Sequence, residues 1–260
     1  MIFKIKKALS NLNFKKYKTF YVAGNIYNFQ FSANETKKFS NFFLNELKKS
    51  IGKNKNIVVP TSTLNLIKNK KIFSKNETKS FNMGNFSEYV RMDKHSYRSD
   101  HPLWSFAGIG KNVKKILKDT SYSAYGKNSV FEKLLHNKTL FISMGKPHRS
   151  IGMLHYAEHI VGVPYRYNKE LEIKVKTKSE IKKQYSLLGV RWDSKKIIGD
   201  GNKKILTKLF QKKIFKIIKL NKGELYIANY SLLVNELINI LNKNPKIWLK
   251  NESVDYKKMK

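Results

Sequence analysis

The sequence predicts an α/β fold in which a parallel or mixed β-sheet is covered by α-helices. Residues 19–22 form a β-rich run, residues 35–50 carry apolar side chains at helical spacing, and residues 57–59 form a short apolar strand. A strand, a helix and a second strand in this order are the unit from which such sheets are built. The length of 260 residues suits one large domain or two small ones, and 41% hydrophobic residues can fill a sizeable core.

Strands and helices continue to alternate along the chain. Ile51-Gly52 is expected to end the first helix, and Pro60-Thr61 to end the second strand. Residues 65–80 and 98–110 are predicted to be loops, the second ordered and packed because it mixes Pro, Gly and Ser with aromatic residues. Further strands are predicted at residues 139–143, 170–176 and 225–228, and further helices at 87–91, 129–135, 150–161 and 232–241.

Three lysine-rich or polar segments are harder to assign. Residues 203–222 contain eight lysines and no acidic residue, which fits a helix with a solvated lysine face or, from 214 to 220, a strand. Residues 1–18 carry six lysines and no acidic residue, and predict a basic N-terminal arm or helix that could contact a membrane surface or RNA. Residues 251–260 are predicted to be a polar tail.

The net charge of +35 is extreme. It fits a polyanionic partner such as nucleic acid, an anionic membrane face or a phosphorylated cofactor, and it also fits a lysine-rich proteome. We favour the second explanation, because the basic residues are mostly lysines spread over the whole chain. The arginine clusters and interleaved exposed aromatic residues that are typical of nucleic-acid binding are missing. We therefore do not expect nucleic acid as a partner, whereas peripheral contact with an anionic membrane stays open.

The absence of cysteine excludes disulfides, zinc–thiolate sites and a covalent intermediate on a cysteine sulfur. It fits a reducing compartment. No run reaches the roughly 18 to 20 apolar residues that span a bilayer, and the apolar run within residues 1–10 is too short for a signal peptide. We therefore expect a soluble, cytoplasmic protein.

Among the six histidines, His155 has the context of a general base. Glu158 follows three residues later, so on a helix the two side chains share a face. A carboxylate beside an imidazole fixes its tautomer and raises its basicity. The predicted helix begins just after a strand and a Gly-containing turn, where the sites of open α/β sheets gather. The chain contains no HExxH, Walker A, GxGxxG or G-x-S-x-G motif, so the sites that these motifs mark are not predicted.

Two longer motifs carry a resemblance to a known family. Residues 98–107 read RSDHPLWSFA, and residues 154–158 read LHYAE, continued by VPYR at 163–166. They resemble the R-S-x-H-P-x-x-S-F-A, L-H-x-A-E and V-P-Y-R segments of the aminoglycoside 3-N-acetyltransferase family. Shorter matches, in the family's order, are Val59-Pro60-Thr61, Met83-Gly84 and Tyr125-Gly126 with Ser129. Together the matches cover most of the chain.

This resemblance implies a single α/β domain over residues 19–250, with a mixed β-sheet sandwiched between α-helices. It implies that acetyl-CoA, or another acyl-CoA, is the co-substrate, that the acceptor is an amine of an aminosugar, and that no metal takes part. His155 would be the base, and Glu158 its orienting group or a handle for a cationic acceptor. The implied CoA contacts are Gly24, Asn25, Ile26, Thr61 and Ser105, and the implied acceptor contacts are His101 and Arg166.

Two positions depart from the family's pattern. The family has a His-Ser-Ser type sequence where Ala23-Gly24-Asn25 stands here, so the hydroxyls are lost although backbone N–H groups could still hold a pyrophosphate. The family also has Thr three residues before its catalytic histidine, and Gly152 stands there in this chain. If that hydroxyl polarises the thioester carbonyl, another donor must replace it, and Ser150 is the candidate.

The net charge also bears on the acceptor. Aminoglycosides are polycations, and a chain with only 18 acidic residues attracts them poorly unless Glu158 and its neighbours form a local acidic pocket. A nucleotide-linked aminosugar is an anion and would be attracted well. Two alternatives stay open: a non-catalytic member of the family, and a basic nucleic-acid-binding protein. Both a monomer and a homodimer fit the sequence.

Overall fold

The computed structural model describes residues 5–7, 9, 12–29, 32–192, 199–220 and 223–250. Within these ranges the chain forms ten β-strands in two sheets. The strands are β1 (Thr19–Gly24), β2 (Asn56–Pro60), β3 (Phe73–Ser74), β4 (Tyr97–Arg98), β5 (Phe106–Gly110), β6 (Thr139–Met144), β7 (Arg166–Lys176), β8 (Ile181–Arg191), β9 (Lys216–Lys219) and β10 (Glu224–Asn229).

The larger sheet has seven strands in the order β4-β5-β2-β1-β6-β10-β9. Its centre is parallel, because β1 pairs with β2 on one side and with β6 on the other. The next strands outward, β5 and β10, run antiparallel to β2 and β6. The sheet is therefore mixed, and its three central strands end at the same edge.

The helices lie on the two faces of this sheet, except the one at residues 66–69, which packs against β7. They are α1 (Ala33–Ile51), α2 (Leu66–Asn69), α3 (Asn85–Arg91), α4 (Val113–Leu117), α5 (Val130–Leu135), α6 (Met153–Val161), α7 (Gly201–Gln211) and α8 (Tyr230–Lys243). A capping box starts α1: the Ser32 hydroxyl accepts from the Glu35 N–H, and the Glu35 carboxylate accepts from the Ser32 N–H. The helix ends before Gly52, whose φ of 87° favours glycine.

The side chains of β1 alternate between two hydrophobic clusters. Phe20 and Val22 belong to the cluster beneath α1 and α3, and Tyr21 and Ala23 belong to the cluster beneath α4 to α8. A strand buried on both faces requires this period of two together with apolar residues at every position. The predicted sandwich of a mixed sheet between helices is confirmed.

The N-terminal segment contributes to the core where the structure describes it. Four of its side chains are buried within the cluster beneath α1, namely Ile5, Leu9, Phe14 and Tyr17. Its apolar residues therefore pack against the domain, while its lysines supply the basic character. Residues 251–260, predicted to be a polar tail, lie outside the described residues. None of the helices in the described ranges is both long and apolar enough to cross a bilayer.

The smaller sheet consists of β3, β7 and β8. Strands β7 and β8 form an antiparallel hairpin in which Arg166 pairs with Arg191 and Lys176 pairs with Ile181. Because β7 begins a few residues after α6, the open end of the hairpin lies beside that helix. Arg166 and Arg191 therefore meet next to the residues that α6 carries.

Several expectations about individual elements are corrected. Residues 98–110, predicted to be a loop, contain all of β5, whose Gly108 lies so close to β2 that a Cβ would be 2.5 Å from the Ile57 oxygen. The sequence FAGIG of β5 has too little β-propensity for a strand to be predicted there. The segment is a strand because it pairs with β2 and β4. Residues 65–80 contain α2 and β3. Strand β8 was not predicted, and residues 203–222 hold both alternatives, α7 followed by β9.

Candidate active site

A cleft of about 580 Å³ opens at the edge where β1, β2 and β6 end. Its walls include Gly24 at the end of β1, Pro60 at the end of β2 and Met144 at the end of β6, and the start of α6 adds Gly152 and His155. Open α/β sheets bind ligands at this edge, because the loops diverge there. The volume falls within the range of about 300–1,000 Å³ that ligand sites occupy.

His155 and Glu158 lie one turn apart on α6, and their side chains meet. The Nδ1 atom of His155 is 2.8 Å from Oε2 of Glu158, whose side chain is 0% exposed. Tyr165 donates its hydroxyl to Oε1 of Glu158 at 3.0 Å, and Nε of Arg166 lies 2.6 Å from Oε2. The buried carboxylate is therefore compensated from three sides, as a buried charge must be.

These contacts decide the tautomer of His155. A carboxylate oxygen only accepts, so Nδ1 carries the proton and donates it to Glu158. The Nη2 atom of Arg166, 2.9 Å from Nδ1, then lies against the ring without a hydrogen bond to it. The lone pair is on Nε2, which has no hydrogen-bond partner within the described part of the chain.

Both members of the pair are in the charge state that a general base requires. Burial and the Arg166 guanidinium hold the pKa of His155 below its ordinary value, although Glu158 acts in the opposite direction. Burial by itself would raise the pKa of Glu158, but the contacts with His155, Arg166 and Tyr165 outweigh it and lower that pKa. At neutral pH the imidazole is therefore neutral and the carboxylate ionised.

His155 also lines a second, smaller cleft of about 160 Å³ between α6 and the hairpin. Glu158 and Gly162 contribute the helix side of this cleft, and Arg166 and Gly189 the hairpin side. The imidazole thus belongs to the wall that the two clefts share. A group bound in one cleft and a group bound in the other would both lie beside the same ring.

The larger cleft is electropositive, because Lys146 and Arg191 line it. Among the described residues that line either cleft, Glu158 is the only carboxylate, and it is already engaged by hydrogen bonds from His155 and Tyr165 and by the charge of Arg166. Neither cleft therefore offers a free carboxylate to a cationic ligand. The larger cleft suits anionic groups, whereas the charges of Arg166 and Glu158 balance each other in the smaller one.

The residues predicted to contact CoA divide into two groups. Gly24 and Asn25 line the larger cleft, whereas Ile26, Thr61 and Ser105 are buried and do not line it. Gly24 has a φ of 106°, and a Cβ there would overlap the backbone oxygen of Met144. Only glycine therefore lets the chain leave β1 along the cleft wall in this way.

Thr61 and Ser105 instead hold a buried arginine. Nε of Arg98 donates to Oγ of Ser105 at 3.0 Å, and Nη2 donates to the backbone oxygen of Thr61 at 2.8 Å. The hydroxyls of Thr61 and Ser105 are 3.0 Å apart. Burial lowers the pKa of Arg98 to about 10, which leaves it charged at neutral pH. The geometry gives these residues a structural role, in which they fasten the end of β2 to the start of β5.

His101 likewise organises the loop between β4 and β5. Its side chain is 4% exposed, its Nδ1 accepts from the N–H groups of Leu103 and Trp104, and its Nε2–H donates to the oxygen of Tyr122. It lines neither cleft, so the structure does not bring it together with His155 and Glu158. Of the two predicted acceptor contacts, Arg166 is the one at a cleft wall.

The two departures from the expected pattern both lie at the larger cleft. Gly152 lines it next to Ser150. The hydroxyl of Ser143 donates to the oxygen of Gly145 at 2.8 Å and lies 2.6 Å from Oγ of Ser150. Since Ser143 has already given its only proton, Ser150 must donate to Ser143. The hydroxyl proton of Ser150 is thus occupied.

Sequence reasoning missed three residues of this site. Tyr165 stands within the VPYR segment, but only the turn after α6 shows that its hydroxyl reaches Glu158. Trp104 occupies a variable position of the longest motif and packs against the His155 ring. Arg191 ends the unpredicted strand β8, so its approach to the larger cleft had no signal along the chain.

Comparisons with known proteins agree with this architecture. A family model described as aminoglycoside 3-N-acetyltransferase matches residues 32–242. No curated protein sequence gives a significant match. Similar solved structures include aminoglycoside acetyltransferase AAC(3)-Xa, with 13% identity over 93% of this chain and 92% of that chain and a TM-score of 0.79. AAC-IIIb in a binary complex with CoASH has 14% identity over 94% and 96% of the two chains and a TM-score of 0.79. AAC-VIa bound to sisomicin has 15% identity over 93% and 97% and a TM-score of 0.75. These structural likenesses show the shared fold.

Proposed function

Because this chain belongs to the aminoglycoside 3-N-acetyltransferase family and is thus an acyltransferase, we propose that it transfers an acyl group from CoA to an amine of an aminosugar, with His155 as general base. The observation that carries this proposal is the position of the imidazole. It lies in the wall shared by both clefts, its Nδ1 is held by Glu158, and its Nε2 lone pair is free. A neutral imidazole in this tautomer can remove a proton from a group bound beside it.

The larger cleft fits the acyl-CoA. Lys146 and Arg191 supply positive charge for its phosphates, and the backbone at Gly24 lies at the wall without a side chain. Met83, Met144 and Leu154 add apolar surface that suits a pantetheine arm. The likeness to AAC-IIIb, whose structure holds CoASH, supports this assignment.

The smaller cleft would then admit the acceptor amine. The nitrogen lone pair attacks the thioester carbon, forming a C–N bond, while the C=O π pair moves onto oxygen. His155 takes a proton from the nitrogen at Nε2, and Glu158 stabilises the resulting imidazolium. Collapse of the intermediate breaks the C–S bond, and the imidazolium returns the proton to the thiolate. The products are an amide and CoA with a free thiol.

We further propose that the acceptor is a nucleotide-linked aminosugar. AAC-VIa is seen with sisomicin, an aminoglycoside, and such polycations call for free carboxylates at the binding surface. In this chain Glu158 is already engaged by His155, Tyr165 and Arg166, so it is not available as a handle for an acceptor cation. A nucleotide-linked aminosugar combines an amine with phosphates, which match the positive charges of Lys146 and Arg191 at the larger cleft.

The test of the general base is a thiol-release assay with acetyl-CoA and a panel of aminosugars. His155→Ala should lower kcat by about 10²- to 10⁴-fold, the usual contribution of a general base. Binding of CoA, measured by calorimetry, should stay within about twofold, because the proposal gives His155 a role in proton transfer and not in holding the phosphates. His136→Ala, at an exposed position after α5, is the matched control. Full activity of the His155 variant would refute the assignment.

The acceptor class is tested by kcat/KM for a nucleotide-linked aminosugar and for an aminoglycoside, each at low and at high salt. We expect the anionic acceptor to be preferred and its kcat/KM to fall with salt, since screening weakens attraction between opposite charges. Selective use of the aminoglycoside would contradict the proposal. Release of no thiol with any acceptor, together with steeply salt-dependent binding of RNA, would favour a nucleic-acid-binding protein instead.

A further inference from the structure

Trp104 carries a polar group that the structure leaves without a partner. Its indole Nε1–H is buried and has no hydrogen-bond acceptor within the described part of the chain. Trp104 lines the larger cleft. Buried donors are nearly always paired, so an unpaired one at a cleft wall indicates a group that arrives with a ligand.

The indole is held firmly beside the catalytic imidazole. Its ring centroid lies 6.1 Å from that of His155, with the two planes at 80°. Tyr125 and Phe131 pack against it at centroid distances of 5.5 Å and 6.3 Å. Its backbone N–H donates to His101 at 2.9 Å. Ring packing and the backbone anchor thus fix the indole beside the His155 ring.

Gly152 lies at the edge of this indole, and a Cβ on it would lie 3.3 Å from Cζ of Phe131. That Cβ would also lie 3.6 Å from Cζ2 of Trp104, which is on the same ring edge as Nε1. The φ of −57° and ψ of −24° at Gly152 suit any residue, so the backbone does not require glycine there. Position 152 therefore places no side chain over the edge of the ring that bears the N–H.

The neighbouring hydroxyl cannot supply the same donor. Ser150 gives its proton to Ser143, because Ser143 gives its own to Gly145. Gly152 has no side-chain group that could donate a hydrogen bond. Among the described side chains that line this cleft, the indole N–H groups of Trp104 and Trp248 are buried without a partner, and Trp104 is the one whose ring packs against His155.

We propose that the Trp104 indole N–H donates to the acyl carbonyl oxygen and stabilises the oxyanion of the tetrahedral intermediate. This inference rests on the acyl transfer proposed above. When the amine lone pair forms the C–N bond, the π pair of the carbonyl moves to oxygen, and the indole N–H binds that oxygen without losing its proton. When the C=O bond re-forms, the C–S pair leaves with sulfur. Trp104 thereby takes the place of a hydroxyl at position 152.

The kinetic test compares Trp104→Phe with Trp192→Phe. Phenylalanine keeps an aromatic ring but removes the N–H, so kcat for thiol release should fall by about 10²-fold, as for other single oxyanion donors. Trp192, which stacks on Tyr167, gives the matched loss of an indole elsewhere, and its kcat should stay within about twofold. A Trp104 variant as active as the Trp192 variant would overturn the inference.

A second measurement needs neither turnover nor a folded variant. In protein labelled with ¹⁵N-tryptophan, the indole N–H signal of Trp104 should shift downfield with acetyl-CoA and not with CoASH, which has the same phosphates but no carbonyl. An identical response to both compounds would overturn the role of Trp104, even if thiol release is fast. Absence of thiol release from the wild-type protein with every acceptor would instead count against the proposed function, so the two failures are distinguishable.

Discussion

Acidification should destabilise the protein through His101. Burial lowers the pKa of His101 from 6.5 to about 4, and the two N–H groups that point at Nδ1 leave no place for a second ring proton. Between these two pKa values the unfolded chain binds a proton that the folded chain does not. The free energy of unfolding therefore falls as the pH falls through this window.

The size of the effect follows from the two pKa values. Between about pH 7.5 and about pH 5, this one group should remove about 2 kcal/mol, at 1.36 kcal/mol per unit of pKa. His155 acts in the same direction, since its pKa is also lowered, so the wild-type loss should be larger than the His101 share. The contribution of His101 is isolated by comparison with a variant that cannot titrate.

His101→Asn is that variant. Its side-chain oxygen can accept from the Leu103 and Trp104 N–H groups in place of Nδ1, while the bond to Tyr122 is lost. Urea unfolding at the two pH values should show a loss about 2 kcal/mol smaller than in the wild type. His136→Asn, at an exposed position, should keep the wild-type loss. Equal losses in the wild type and His101→Asn would refute the reasoning.

Two further substitutions test the site itself. Glu158→Gln removes the negative charge that raises the pKa of His155, so the ring should titrate at still lower pH in an NMR titration. The kcat for thiol release should fall by at least about 10-fold. An unchanged titration of His155 would contradict the coupling between the two residues. Gly24→Ala places a Cβ against the Met144 oxygen at a φ of 106°. It should lower the free energy of unfolding by more than about 1 kcal/mol and weaken CoA binding. The control is Gly52→Ala, at a φ of 87° with no atom within 4 Å of the new Cβ, which should affect stability alone.

The local sequence determined the contact between His155 and Glu158 more fully than it determined the residues around them. A spacing of three residues on a helix puts His155 and Glu158 on one face whatever the rest of the chain does, so their contact follows from the sequence. The apolar runs of β1, β2 and β6 likewise predict buried central strands, because only a sheet covered on both faces tolerates them. The edge at which those strands end then predicts where a ligand binds.

The roles of the other motif residues depended on packing between distant segments. The family motifs predict that Thr61 and Ser105 line the cleft, but in the fold both residues accept hydrogen bonds from the buried guanidinium of Arg98. His101 is likewise predicted to contact a ligand, but both of its ring nitrogens are hydrogen-bonded to backbone groups, three in all.

What the sequence by itself determined is the sheet, the helices that cover it and one histidine paired with one glutamate. What only the tertiary structure decided is which groups compensate that glutamate and which polar groups face the cleft. Tyr165 and Arg166 reach Glu158 because the chain turns back at Gly162, where φ is 68°, and Arg191 arrives across the hairpin from β8. Side-chain spacing is fixed by the local backbone period, whereas burial and charge compensation depend on segments that meet only when the chain has folded.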